Sequence, residues 1–407
     1  MQKRIKVYIY GMGQTNFLGP LYHSIFSIND TFTFFLSHQK KMSGSANWFE
    51  QGLFKKPLNT NNVAICIFKA VINLFKGTYI KLIAHSLIDA SFRRTLALIK
   101  KILVEIYDYH RKSEYGGDVY HVHYITLLNV IKFPLIHRSK KLVLSFWGSD
   151  LLRKDDLLGF IFIKSALERA DVITVQSLDL REVLLSKYGR DLYPKIVINQ
   201  FVLDRQIFEK LDVHMGGRSR YGDKINVLVG HNASEYNRHL EIIQELSKLD
   251  EKTKSSLHLV FVFGYGIKSA NKRQKYKASL EAELHRGKFA YHFIDDFIDQ
   301  DAMAKLRSNS DIMIHLPVSD ALSAAMTESL YAGNIVITGA WLPYGPFRRN
   351  GVRYFEIESM DDLSTTFLDA IINKETIVND LKRNREIIQS HFLSPSIPNN
   401  WYNLLKI

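Results

Sequence analysis

Two acids stand eight positions apart in the stretch H-L-P-V-S-D-A-L-S-A-A-M-T-E-S-L-Y-A-G-N-I-V-I-T-G, residues 315–339: Asp320 and Glu328. Carboxylates so spaced, at the start of a helix, can grip paired hydroxyls of a sugar nucleotide while the helix N-terminus faces its phosphates. The plainer reading makes Asp320 an N-cap and leaves Glu328 solvated. The elements that must position them are legible. An apolar run over 311–315 predicts a buried strand, a polar loop over 317–320 follows, and residues 322–331 have helical spacing. Gly333-Asn334 stops that helix and 335–338 begins the next strand. Strand, loop, helix and strand make a parallel crossover, whose ligands sit at the carboxyl ends of strands. If the helix begins near Asp320, Glu328 lies about two turns along a similar face.

A second constellation follows the strand predicted over 224–229. There Gly230-His231-Asn232 leads through Asn237-Arg238-His239 into a helix over 240–249. A guanidinium beside helix-start amides can cradle a diphosphate. Gly264 closes the next strand, over 258–263. In the first half, the buried strand 141–146 runs into Trp147-Gly148-Ser149-Asp150. Asp150, at a strand's carboxyl end, is placed to act as a general base or to bind an acceptor hydroxyl, or else to cap a helix. Strand 5–10 runs into Gly11-Met12-Gly13-Gln14, an opening common in nucleotide-binding α/β domains and equally a tight turn that needs glycine. His121 and His123 lie at period two on one strand and point to one side, into or near a cleft. No third ligand is spaced to complete a metal site with them, so they read first as structural histidines, and because no D-x-D run ends a strand in the second half no divalent metal is expected.

The acidic pair resembles the acid-x7-acid signature of GT-B glycosyltransferases, in particular the retaining family 4, with Asp320 for the usual Glu and Ala321 for the glycine after it. Trp147-Gly148-Ser149-Asp150, and Gly230, Asn237 and His239, are similar to the bacterial fucosamine transferases of family 56, also GT-B. The resemblance implies two Rossmann-like α/β domains with parallel sheets facing an inter-domain cleft. It implies that Glu328 binds donor ribose hydroxyls and that Asp320 contacts the donor sugar. Gly230, Asn232, Asn237, Arg238 and His239 would hold the donor diphosphate, with Gly264 and Ser323 beside them. Gly11, Gly13, Gln14 and His123 would face the acceptor. Catalysis would involve Asp150, Asp320 and Glu328, with no cofactor beyond the nucleotide-sugar co-substrate. Retention follows the family 4 likeness, and inversion with Asp150 as base the family 56 likeness.

The 407 residues suffice for two domains, expected at 1–204 and 223–385, with 205–223 as linker and a C-terminal segment, 386–407, packing back on the first. At 46% hydrophobic the chain can bury sizeable cores. A single cysteine, Cys66, excludes an intramolecular disulfide and a cysteine-based zinc site. No secretory leader is expected at the N-terminus, and no stretch approaches about eighteen uninterrupted apolar residues. The net charge of +13 implies an anionic partner. Residues 63–109 predict basic amphipathic helices, which either touch an anionic bilayer or cover a sheet with a solvated face. The expected activity is transfer of a sugar from a nucleotide-sugar to a hydroxyl of a glycan or lipid-linked acceptor, in capsule, lipopolysaccharide or related synthesis. The expected location is the cytoplasm, with the inner face of the membrane as a contact. The rivals are a non-hydrolysing nucleotide-sugar epimerase and a non-enzymatic basic binder. Aromatics are not interleaved with Lys and Arg in a stacking pattern, which counts against nucleic acid.

Overall fold

The computed structural model describes residues 4–11, 15–36, 52–59, 61–89, 92–153, 156–215 and 224–407. The chain divides into two compact units, Met1–Val202 with Pro395–Ile407, and Leu203–Ser394.

Seven parallel strands make the sheet of the first unit: β1 (Ile5–Tyr10), β2 (Phe32–Leu36), β3 (Phe54–Lys55), β4 (Val119–His123), β5 (Lys141–Ser145), β6 (Val172–Val175) and β7 (Ile196–Ile198). Their spatial order is β3-β2-β1-β4-β5-β6-β7. β4 is buried at every position, as expected of a strand covered on both faces of a parallel sheet. The register places Val7 beside Val119 and Val119 beside Lys141. On one face lies helix α1 (Thr15–Ile28), whose Leu18, Leu21, Tyr22 and Ile25 join Val7, Phe34 and Trp401 in one core. Three further helices, α2 (Val63–Leu74), α3 (Gly77–Asp89) and α4 (Phe92–Arg111), pack together, α2 and α3 each on α4.

The second unit repeats the pattern with six parallel strands: β8 (Ile225–Val229), β9 (Leu257–Val262), β10 (Ala290–Ile294), β11 (Ile312–His315), β12 (Ile335–Gly339) and β13 (Phe355–Ile357). The order is β10-β9-β8-β11-β12-β13. Each sheet therefore reverses direction next to its first strand, between β1 and β4 and between β8 and β11. Such switch points open a crevice at the strands' carboxyl ends, where ligands of α/β sheets bind. Two apolar clusters cover the faces of this sheet, one around Val227, Ile314 and Phe261 and the other around Leu228, Met313 and Val336.

Several boundaries differ from the sequence expectation. Residues taken as linker form the helix Arg205–Met215, which buries Ile207, Phe208 and Leu211 in the second unit. Its charged outward positions masked that apolar stripe. The helix Lys374–His391 also belongs to the second unit, and only the last helix, Ser396–Leu405, lies in the first. There Trp401 is fully buried and its indole donates to the Gln200 carbonyl at 2.7 Å.

Candidate functional site

The acid-bearing helix begins at Ala324, later than expected. Ser323 caps it, its Oγ accepting from the Met326 amide at 3.3 Å. Asp320 is thus a loop residue rather than a cap, and Glu328 sits just over one turn into the helix. Asp320 Oδ2 lies 3.1 Å from His315 Nε2, and the Tyr344 hydroxyl reaches both, at 3.0 Å to His315 and 3.3 Å to Asp320. Burial pushes the Asp320 carboxyl up, but the hydrogen bond and charge of His315, then His231 and the Ala321 amide, outweigh it and hold it at about 2. About a quarter of its side chain, 26%, stays accessible.

Glu328 is held from the preceding helix, Gln300–Ser308. Arg307, buried at 3% side-chain exposure, gives its Nε to Glu328 Oε2 at 2.6 Å and a terminal nitrogen to Ser329 Oγ at 3.1 Å. Burial raises the Glu328 carboxyl and Arg307 pulls it part of the way back. Oε1 has no partner among the described residues, which leaves it for a ligand hydroxyl.

The glycine turn after β8 adjoins this loop. Val318 N donates to the Tyr236 carbonyl at 2.9 Å, Trp341 Nε1 donates to the Pro317 carbonyl at 3.0 Å, and Arg238 lies over the Trp341 ring. The two acids and the arginine-bearing turn are therefore stitched together at the β8–β11 switch point. Gly230 has φ +67, and a Cβ there would meet His239 Nε2 at 2.6 Å. Only glycine suits both demands. Asn237 Nδ2 donates to the Asn232 carbonyl and to Asn232 Oδ1, each at 3.0 Å, and Asn232 Oδ1 also accepts from Ser234 N at 2.8 Å. Asn232 and Asn237 thus shape the turn. His239 is fully buried, with Nδ1 3.1 Å from the Tyr276 hydroxyl, and burial with the neighbouring His231 pushes it down to about 3. Gly264 approaches the Asp296 backbone, where a Cβ would stand 2.2 Å from the carbonyl oxygen. Arg238 has left-handed backbone, φ +60, and its guanidinium pairs with Glu241.

His231 completes the cluster. Its ring lies 5.3 Å from that of His315, and its carbonyl accepts from the Tyr265 hydroxyl at 2.9 Å. Burial, with His315 and Arg307 nearby, pushes His231 down to about 4, although Asp320 opposes the shift. Nδ1 of His231 and Nδ1 of His315 are buried without a hydrogen-bond partner among the described residues. Sequence reasoning missed Arg307, His315, Tyr265 and Tyr344 as site residues. His315 ended the strand that carried the argument, but nothing in spacing ties Arg307 to Glu328, since the strand between them folds back in space.

In the first unit, Asp150 is 4% exposed. Its Oδ2 accepts from Ile125 N at 2.6 Å and its Oδ1 from Trp147 N and Gly148 N, both at 2.9 Å. Burial raises the carboxyl to about 6, against the pull of these amides. These bonds lash the loop after β5 to the loop after β4.

The reading of His123 as an acceptor-facing side chain needs correction, because it is fully buried and both ring nitrogens are taken. The Trp147 indole, which can only donate, reaches His123 Nδ1 at 3.3 Å. His123 Nε2 must then carry the proton it gives to the Tyr22 hydroxyl at 2.8 Å. That hydroxyl in turn donates to His121 Nδ1 at 2.8 Å, and His121 Nε2 donates to Ser145 Oγ at 2.7 Å. One indole fixes the tautomers of the whole chain. Burial pushes His121 down to about 3 and His123 well below its usual range. Gly11, at φ +91, lets the end of β1 close on the His123 carbonyl, 1.9 Å from where a Cβ would stand. Gly13 and Gln14 lie outside the described residues. Among the described residues no group of three His, Cys, Asp or Glu could hold a metal.

The sequence matches no family model and no curated protein. Solved structures do match over nearly the whole chain. Anabaena HepE in complex with UDP is 11% identical, with a TM-score of 0.66 and 99% of each chain covered. Sucrose-phosphate synthase from Thermosynechococcus elongatus is 12% identical, with a TM-score of 0.67, covering 99% of this chain and 98% of that one. The UDP-forming trehalose-phosphate synthase from Burkholderia vietnamiensis is 10% identical, with a TM-score of 0.63 and 99% of each covered. The fold is that of the GT-B glycosyltransferases. HepE has also been seen with UDP-glucose, and with UDP and glucose.

Proposed function

We propose that this chain is a glycosyltransferase that binds a nucleotide-sugar in the second unit and passes the sugar to a hydroxyl of a glycan or lipid-linked acceptor in bacterial surface polysaccharide synthesis. The observation that carries the reading is the pair of braced acids, Glu328 on Arg307 and Asp320 on His315, at the β8–β11 switch point. Glu328 Oε1 accepts from ribose hydroxyls and Asp320 from the donor sugar. The amides at the start of the helix His239–Leu246, with Arg238, offset charge on the departing diphosphate. The bond from the anomeric carbon to the diphosphate oxygen breaks, the bond to the acceptor oxygen forms, and the proton of the acceptor hydroxyl passes to the departing diphosphate or through it to solvent. The motifs of families 4 and 56 support this kinship from sequence, and donor complexes of fold neighbours support a nucleotide-sugar. We infer that neither a divalent metal nor a further cofactor takes part, and that the reaction runs in the cytoplasm.

Thermal shift against UDP-, GDP-, TDP- and CMP-sugars tests the reading. One nucleotide class is expected to raise the melting temperature, and Glu328→Gln to abolish that rise. No shift with any of the four, or a full shift in Glu328→Gln, would overturn the assignment. Turnover lost in EDTA and restored by Mg²⁺ would overturn metal independence.

A further inference from the structure

The α2–α4 layer departs from an ordinary water-facing surface. α2 buries Cys66 and Ala70 on one side. At about 100° per residue, the opposite side carries Ile65, Phe68, Val71, Ile72 and Phe75. All five are exposed, Phe68 at 66% and Phe75 at 69%. α3 repeats the pattern outward with Ile80, Leu87 and Ile88, and α4 with Phe92, Leu96 and Val104. Of the two expectations for these helices, a sheet cover with a solvated basic face would keep the apolar residues inside. Here the outward face is itself apolar, and the basic side chains stand among it and at its margin.

Between 61 and 104 the chain has seven Lys and Arg, at 69, 76, 81, 93, 94, 100 and 101, against a single acid, Asp89. Of these, Lys69, Lys81, Arg93, Arg94 and Lys100 are exposed. Among the described residues no single helix is long and apolar enough to cross a membrane, and the α2–α3 pair is broken by a 66° bend. Twelve residues of α2 rise only about 18 Å, short of a hydrocarbon core of about 30 Å. Both helices are also tied into the unit: Asn73 Nδ2 of α2 lies 3.3 Å from His110 Nε2 of α4, and on α3 the Tyr79 hydroxyl donates to the Ile131 carbonyl at 2.7 Å while Ser86 meets Thr95 of α4 at 3.0 Å. These helices cannot leave the protein to span a bilayer, but they can lie on one.

We propose that the outward faces of α2, α3 and α4 form a docking surface for an anionic lipid bilayer. Phe68, Phe75 and Phe92 enter the headgroup–acyl boundary, and Arg93, Arg94 and Lys100 meet lipid phosphates. The charge selects this occupant. A second copy would bring the same excess of cations against itself, whereas an anionic bilayer supplies apolar depth and negative charge together.

The test is co-sedimentation of the full chain with vesicles of phosphatidylcholine alone and of phosphatidylcholine mixed with phosphatidylglycerol. Binding is expected to the anionic vesicles and to weaken with salt. Phe68→Asp with Phe75→Asp should cut vesicle affinity by about tenfold or more. Because both rings face outward, that variant is expected to keep the parent's circular dichroism and melting temperature. Arg93→Glu with Arg94→Glu should erase the preference for phosphatidylglycerol. Failure to bind either vesicle, or unchanged affinity in the double aspartate variant, would overturn the proposal. So would a lipid-free oligomer, seen by light scattering, that the same two substitutions dissolve, because the face would then belong to a second copy.

Discussion

Arg307→Met removes the cation from beneath Glu328 while keeping a flexible chain of similar length. Arg307 is 3% exposed and Glu328 15%, so the pair is buried well enough for the loss to be felt. Removing one partner of a buried ion pair costs about 3–5 kcal/mol, because the other charge stays behind without compensation. The lower end applies here, since Glu328 can take up a proton instead. Burial already raises its carboxyl in the parent, and the variant loses the Arg307 charge and hydrogen bond that hold it down. A carboxyl raised in the folded state holds its proton there while the unfolded chain releases it. The penalty in Arg307→Met should therefore grow as pH rises above the ordinary carboxylate range and shrink on acidification. Urea unfolding at several pH values measures this. The double variant Arg307→Met with Glu328→Gln should regain most of the stability but not bind the sugar donor. A penalty independent of pH, or a double variant as unstable as the single, would refute the claim that Arg307 serves to hold a charged Glu328.

Three further outcomes are expected. Asp150→Asn replaces an acceptor of three backbone amides by a side chain with one acceptor oxygen, so its melting temperature should fall by the equivalent of about 1–3 kcal/mol. An unchanged melting temperature with lost turnover would instead mark Asp150 as the base. Tyr22→Phe strips the hydroxyl shared by His121 and His123 and should cost about 1–3 kcal/mol by chemical denaturation. In the parent, His121 titrates near 3 when folded and near its usual value when unfolded, so this part of the stability is full at neutral pH. It is lost as pH falls from about 6.5 towards 3; a flat acid profile would contradict the neutral, buried network. Gly230→Ala should destabilise the second unit by about 1–3 kcal/mol, through its positive φ and the clash with His239, and a melting curve matching the parent's would show the turn can relax.

Much of the candidate site's frame could be read from residue type. Gly230 announced a turn after a strand, and Asp320 and Glu328 stood in the loop and helix that follow another. The identity of the braces could not be read. Arg307 looked like an ordinary helix cation, because its partner lies 21 positions on, across β11 and the following loop. His123 looked like a strand residue pointing at a crevice, yet α1 covers it with Tyr22. The helix Arg205–Met215 looked like a tether until its three apolar residues found a sheet to cover.

By itself the sequence determined the alternation of buried strands and helices, because parallel strands covered on both faces need continuous apolar runs and each crossover needs a helix. Tertiary structure alone decided which charge neutralises which acid, which imidazole nitrogens carry protons, and which side of α2 meets solvent. Those depend on distances between groups far apart in the chain. A periodic pattern says that a helix has two faces, and only packing says which one is covered.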